Sequence, residues 1–198
     1  MFSLKIHGPS AASAVVVWEL TIQCQIADAA YRRLEEYARV QLTRDYFSAA
    51  PHPKTVVDFF SDCAVFLSAA GVISKIVFPR GRRPTKTAVV RSRKLKDFLG
   101  VSDLPILRDL GLRNAFEHID ERLDEEIEKN PDGVFVQYHI ARTAPPAGLI
   151  LKRFDPKTKT LSYLGTALAL DSCFSEIKQV EAGLKTAEER VWREGGLR

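Results

Sequence analysis

Residues 112–123 read LRNAFEHIDERL, and this stretch decides the predicted fold. Apolar residues recur in it and just beyond it at intervals of three or four, at Leu112, Phe116, Ile119, Leu123 and Ile127. Such spacing is typical of an amphipathic helix with one face turned towards a core. At about 100° per residue, the opposite face carries Asn114, Glu117, His118, Glu121 and Glu125. We predict one helix that begins near Ser102 or Asp103 and ends at 130–133.

On this helix Asn114 and His118 lie close together, whereas Arg113 points in another direction. Asn114 and His118 are four residues apart and are therefore neighbours on the helix surface. Arg113 and His118 are five apart, about 140° round the axis and about 7.5 Å along it. One straight helix does not hold both around a small group. If these side chains cooperate, a second copy of the helix is the natural way to bring them together.

The segment from Arg113 to His118, RNAFEH, resembles the R-x(4–6)-H motif of HEPN domains, including the polar residue that often follows the Arg. In those domains the motif lies near the start of a bundle helix, and two copies meet across a dimer or pseudo-dimer. Active members, among them toxins, abortive-infection proteins and CRISPR effector nucleases, cut RNA there without metal. The resemblance implies a homodimeric, metal-independent endoribonuclease of toxin or phage-defence type, with an antitoxin or defence protein as partner.

The resemblance also implies the catalytic residues, which are Arg113, Asn114 and His118. His118 would act as general base on a ribose 2′-OH or as general acid towards the 5′-oxygen, while Arg113 would stabilise charge on the phosphate. Asn114 would orient the His or the phosphate, and the product would carry a 2′,3′-cyclic phosphate. HEPN toxins paired with a nucleotidyltransferase antitoxin have Tyr two residues after the His, where this chain has Asp120. Control by AMPylation is therefore not expected.

Other interpretations of the same residues stay open. Arg113 and Glu117 have the spacing of an i,i+4 ion pair, and His118 and Arg122 then simply lie on a solvated face. A HEPN-like dimer that binds RNA or a protein without chemistry is a second possibility. A third is a structural or regulatory dimerisation domain whose basic loop contacts an acidic protein.

Positive charge is concentrated in one segment of the chain. The net charge is +4, and residues 79–96 hold eight bases and no acid, whereas residues 117–128 hold seven acids and one Arg. We predict a basic loop followed by a short helix that ends at Gly100. The predicted RNA-binding residues are Arg80, Arg82, Arg83, Lys86, Arg91, Arg93 and Lys94. The alternative is a solvated loop with no partner.

The remaining periodicity predicts a mainly α protein, a helical bundle with an appended strand and hairpin region near the C-terminal third. At 198 residues we expect a single domain over 1–198, with the bundle at 11–130 and 171–192 and the β region at 134–164. Helices are predicted from about Ser13 to Phe47, from an N-cap at Thr55 to Gly71, and from Asp171 or Ser172 onwards. A strand at 134–140 precedes a predicted hairpin of 149–154 and 160–164.

Several classes of protein are disfavoured. Three separated cysteines form neither a disulfide framework nor a C-x-x-C pair, and they suit a reducing cytoplasm. Four His residues are too few for a multi-histidine metal site, so no metal or cofactor is expected. Signatures of serine hydrolases, dinucleotide binding and P-loops are missing from the sequence. The apolar run 11–18 is too short to span a bilayer, and no membrane segment is expected.

Overall fold

A computed structural model of the protein describes residues 9–43, 53–79, 84–109, 111, 118–140 and 148–194. These residues are mostly helical and add a small four-stranded sheet in the C-terminal part, as the sequence predicts. The helices are α1 Pro9–Thr43, α2 Pro53–Val77, α3 Lys86–Leu99, α4 Pro105–Arg108, α5 Ile119–Lys129 and α6 Leu170–Glu194. The strands are β1 Phe135–Ile140, β2 Leu149–Asp155, β3 Thr160–Tyr163 and β4 Thr166–Ala169.

The core forms where α1 packs along both α2 and α6. Tyr31 of α1 stacks on Phe174 of α6 with ring centroids 3.8 Å apart, and its hydroxyl donates to Asp171 at 2.5 Å. Asp171 lies in the first turn of α6, because that helix begins at Leu170. Its carboxylate therefore links α6 to α1. The three cysteines, Cys24, Cys63 and Cys173, are buried free thiols, and burial raises their pKa, to about 12 for Cys24 and Cys173.

Helix α2 is longer than predicted at both ends. It begins at Pro53 instead of after an N-cap at Thr55, and it continues through Gly71 to Val77. Ile73 and Val77 are fully buried, so the apolar face that sustains the helix runs on beyond the glycine. The segment Val56–Val77 is also long and apolar enough to span a bilayer, with a mean hydropathy of 1.8, and half of this window is buried inside the bundle. A core helix of a bundle has the same length and composition.

Helix α3 ends where the sequence predicts. Gly100 has a φ of 66° in the left-handed region, and its N–H bonds the last carbonyls of the helix. At the other end, the Thr85 hydroxyl accepts from the Ala88 N–H at 3.2 Å and caps the helix. Ser92 donates to the Val77 carbonyl at 2.6 Å, which fixes α3 against the end of α2.

The prediction of one continuous helix from Ser102 or Asp103 to 130 is wrong. Helix α4 spans four residues, and α5 begins only at Ile119. Asp109 and His118, which bound the interval, have ψ angles of 70° and 37° and so leave the helical region. Arg113 and Asn114 themselves lie outside the described residues.

Tertiary contacts account for the short α4. Leu104 and Leu107 are buried, and the Glu176 carboxylate of α6 accepts the Ile106 and Leu107 N–H groups at 3.0 and 2.7 Å. Ser74 of α2 also donates to the Leu107 carbonyl at 2.5 Å. These contacts satisfy the polar groups of α4 without a continuing helix.

The sheet has the order β1-β2-β3-β4, with β1 and β2 parallel and the other pairs antiparallel. This confirms the predicted strand and hairpin, and β4 is an addition. Phe154 packs on Phe59 near the start of α2, with ring centroids 4.5 Å apart. The sheet therefore covers the start of α2. Helix α3 contacts the other end of α2, at Val77, which is about 27 Å from Phe59 at 1.5 Å per residue.

Candidate RNA-binding surface and the surroundings of His118

His118 directly precedes α5 and is open to solvent. Its side chain is 58% exposed, and it makes no capping hydrogen bond to the helix. Nδ1 lies 3.5 Å from Oε2 of Glu121. A surface pocket of about 400 Å³ is lined by His118, Glu121, Arg122, Glu125, Glu126 and Leu164. With Nδ1 turned to a carboxylate, Nε2 is the nitrogen available to a substrate.

The charges around this pocket are mainly negative. Three carboxylates face one guanidinium, that of Arg122, which donates to the Thr166 hydroxyl at 3.1 Å. Glu126 is paired with Lys129 at 2.8 Å, which leaves Glu121 and Glu125 to repel an approaching phosphate. A phosphate bound at His118 would therefore need positive charge from Arg113 or from a second chain.

Helix α3 carries the opposite charge. Lys86, Arg91, Arg93 and Lys94 are all exposed. Within the described ranges none of the four forms an ion pair, whereas some bases elsewhere in the fold do, as in Arg33 with Asp62 at 2.7 Å. The positive charge of α3 is therefore not neutralised. The other predicted RNA-binding residues, Arg80, Arg82 and Arg83, lie outside the described part of the chain.

The structure does not place the α3 bases and His118 in one cleft of a single chain. Helix α5 is tied to β4 through Arg122 and Thr166, four residues before α6 begins. The end of α3 meets α6 at Gly183, thirteen residues beyond Leu170. At 1.5 Å per residue this separation is about 20 Å along α6.

A groove between α1 and α3 was not predicted. It encloses about 770 Å³, and its lining is apolar at Val16, Val17, Val90, Leu95 and Phe98 and basic at Lys86, Arg91 and Lys94. Val90 is 53% and Phe98 38% exposed. Apolar residues on the exposed face of a basic helix were the available signal. The α1 wall of the groove depends on how the bundle packs.

His139, on β1, is a poor candidate for a catalytic residue. It lies opposite Arg153 in the register of β1 and β2, and burial, followed by the charge of Arg153, lowers its pKa. The imidazole is therefore neutral near pH 7. Throughout the described ranges, no group of three or more His, Cys, Asp or Glu side chains converges as a metal site would require.

No family model, no curated protein and no solved structure matches this chain. Its function is therefore inferred from its own residues and contacts. Two features bear on that function: the unneutralised bases of α3, and the exposed imidazole of His118 beside Glu121.

Proposed function

We propose that the protein binds RNA through its basic segment, with Arg80, Arg82, Arg83, Lys86, Arg91, Arg93 and Lys94 contacting phosphates. The observation that carries this proposal is the set of four exposed bases on α3 that pair with no acid in the described part of the chain. A polyanion that binds them releases its counterions, and this term supplies most non-specific affinity for nucleic acid. The HEPN-like sequence motif agrees with an RNA ligand.

Phe98 favours RNA over an acidic protein as the ligand of this surface. Its ring is 38% exposed and lines the same groove as Lys94 and Arg91. Exposed aromatic rings among basic side chains are typical of proteins that bind single-stranded nucleic acid. An unpaired nucleobase stacks on the ring while its phosphate contacts a Lys or Arg side chain. Single-stranded RNA is therefore the preferred substrate class.

The first test removes positive charge from α3. The triple variant Arg91→Ala, Arg93→Ala, Lys94→Ala should bind a single-stranded RNA oligonucleotide more weakly. The slope of log K against log salt should fall by about 2, since each lost phosphate contact on a single strand contributes about 0.7. Fluorescence anisotropy across a salt titration measures both quantities.

A matched control removes the same charge elsewhere. Arg32, Lys129 and Lys185 are exposed bases paired with Asp28, Glu126 and Glu181. Replacing these three by Ala lowers the net charge equally and should leave the salt slope unchanged. Equal losses in the two variants would indicate that net charge, and not α3, governs binding.

A second candidate function, RNA cleavage, is favoured by the exposure of His118 and by the position of Glu121 at its Nδ1. In this proposal two copies of the chain form a HEPN-like composite site. His118 acts as general base or general acid, and Arg113 and Asn114 bind and orient the phosphate. Because the pocket is acidic, Arg113 is required to offset the charges of Glu121 and Glu125.

His118→Ala should reduce cleavage of a single-stranded RNA by about 10²–10⁴-fold, the usual contribution of a general acid or base. Cleavage should persist in excess EDTA. Denaturing gels with 5′-labelled RNA give the rates, and the 2′,3′-cyclic end is identified by mass spectrometry.

Glu121→Gln serves as the companion variant. It keeps His118 and removes only the carboxylate beside Nδ1, so the rate should fall much less than in His118→Ala. Undiminished cleavage by His118→Ala, or no cleavage by the wild-type protein, would leave binding without chemistry as the function.

A further inference from the structure

Helix α5 is amphipathic and has little contact with the rest of the described chain. Arg122 links it to β4, and no described helix or strand packs extensively against it. Ile127 is 43% exposed, and Asp120 and Asp124 are exposed. At about 100° per residue these three side chains lie on one side of the helix, within about 60° of one another. This side therefore combines one exposed apolar residue with two exposed carboxylates.

The groove between α1 and α3 has the complementary character. Its lining combines apolar residues, Val17, Val90 and Phe98, with basic ones, Arg91 and Lys94. Helix α3 holds five bases and one acid, while α5 holds six acids and two bases. The two surfaces match in polarity and in sign of charge, which is the condition for specific docking.

We propose that the α5 helix of a second copy of this chain docks in the groove between α1 and α3. Ile127 would pack against Val90 and Phe98, and Asp120 and Asp124 would form ion pairs with Arg91 and Lys94. At 1.5 Å per residue the 11 residues of α5 extend about 16 Å, within the roughly 21 Å of the 14-residue α3. Helix α5 is thus no longer than the wall of the groove that α3 forms.

The positions of the two elements favour a two-fold dimer. Helix α5 lies at the sheet end of α6, and α3 lies about 20 Å further along it. In a two-fold dimer each α5 would dock on the α3 of the other copy, so both contacts would form at once. A stable interface buries about 1,200 Å² or more in total. One short helix supplies only part of that area, so the two contacts are needed together.

The dimer has a consequence for the proposed RNA surface. Lys86, Arg91 and Lys94 line the groove, so an acidic α5 docked there would compete with RNA for the same bases. The dimer itself does not depend on RNA binding. Dimer formation is measured as the molecular mass of the protein without RNA. Failure of the dimer proposal is therefore distinguishable from failure of the RNA-binding proposal.

Sedimentation equilibrium at low salt tests the assembly. The wild-type protein should have twice the chain mass of 22.2 kDa, and Ile127→Asp should raise the dissociation constant by about tenfold or more. Asp120→Lys with Asp124→Lys should do the same, as should Arg91→Glu with Lys94→Glu. All four charge changes in one chain should restore the dimer, because they re-create opposite charges across the interface.

Val65→Asp is the matched control, since Val65 is 40% exposed on α2, away from both surfaces. It should leave the dissociation constant unchanged. A wild-type monomer at high concentration would overturn the proposal. So would a dimer that Ile127→Asp leaves intact, or four charge changes that fail to restore association.

Discussion

We expect Gly183→Ala to lower the free energy of unfolding by about 3 kcal/mol, at the upper end of the cost of overfilling a packed site. In an exposed helix the same substitution stabilises by about 1 kcal/mol, because Gly has the larger backbone entropy in the unfolded chain. At 183 a Cβ would lie 3.0 Å from the Leu99 carbonyl carbon and 3.1 Å from its Cα, and would overlap the carbonyl oxygen. The obstacle is backbone, which cannot turn aside as a side chain would.

Leu99 is also held in place, so the clash is not easily relieved. It is 5% exposed and immediately precedes Gly100, whose left-handed φ ends α3. Gly111→Ala is the matched control, since among the described residues its Cβ would meet only Thr166 Cγ2, at 3.8 Å. Urea denaturation followed by circular dichroism gives both values. Equal stability of the two variants would show that α3 and α6 are not in such close contact.

Glu176→Ala should lower the free energy of unfolding by about 2–3 kcal/mol. The carboxylate is 6% exposed and accepts two N–H groups from the start of α4. Removing it leaves two amides without their acceptor in a mostly buried site, and hydrogen bonds to a charged group are among the stronger ones. Hydrogen exchange should show faster exchange at Ile106 and Leu107 before any global change.

Glu176→Gln separates the charge from the geometry. Its amide has one oxygen acceptor in place of two, so its stability should lie between those of the wild type and Glu176→Ala. Gln179→Ala, at an exposed position of the same helix, should leave stability within about 0.5 kcal/mol of wild type. Unchanged exchange at Ile106 and Leu107 in Glu176→Ala would contradict the role assigned to the carboxylate.

Local signals in the sequence predicted the regular elements well where packing agreed with them. The end of α3 at Gly100, the strand at 135–140 and the hairpin at 149–163 all follow from period and turn residues. The predicted helix through 102–130 failed for the opposite reason. Its apolar spacing was regular, but Glu176 and Ser74, distant in sequence, fix a short α4. A periodic pattern does not register such partners.

The candidate site, too, was predictable from the sequence only in part. The sequence located the bases of α3 and the acids of α5, because runs of charge are visible without a fold. Which bases form ion pairs depends on how the chain folds. Arg33 pairs with Asp62, which is 29 residues away along the chain, whereas Arg91 and Arg93 pair with no acid among the described residues.

Sequence alone was enough to predict the helical character of the chain, the end of α3 at Gly100, the hairpin and the separation of charge between α3 and α5. These depend on neighbours within a few residues, through backbone hydrogen bonding, turn conformation and side-chain period. Only packing of the whole chain decided that α5 meets β4, about 20 Å along α6 from the end of α3, and that α1 completes an apolar groove beside the α3 bases. Those features require segments more than forty residues apart to meet, and packing of the whole bundle selects which segments do so.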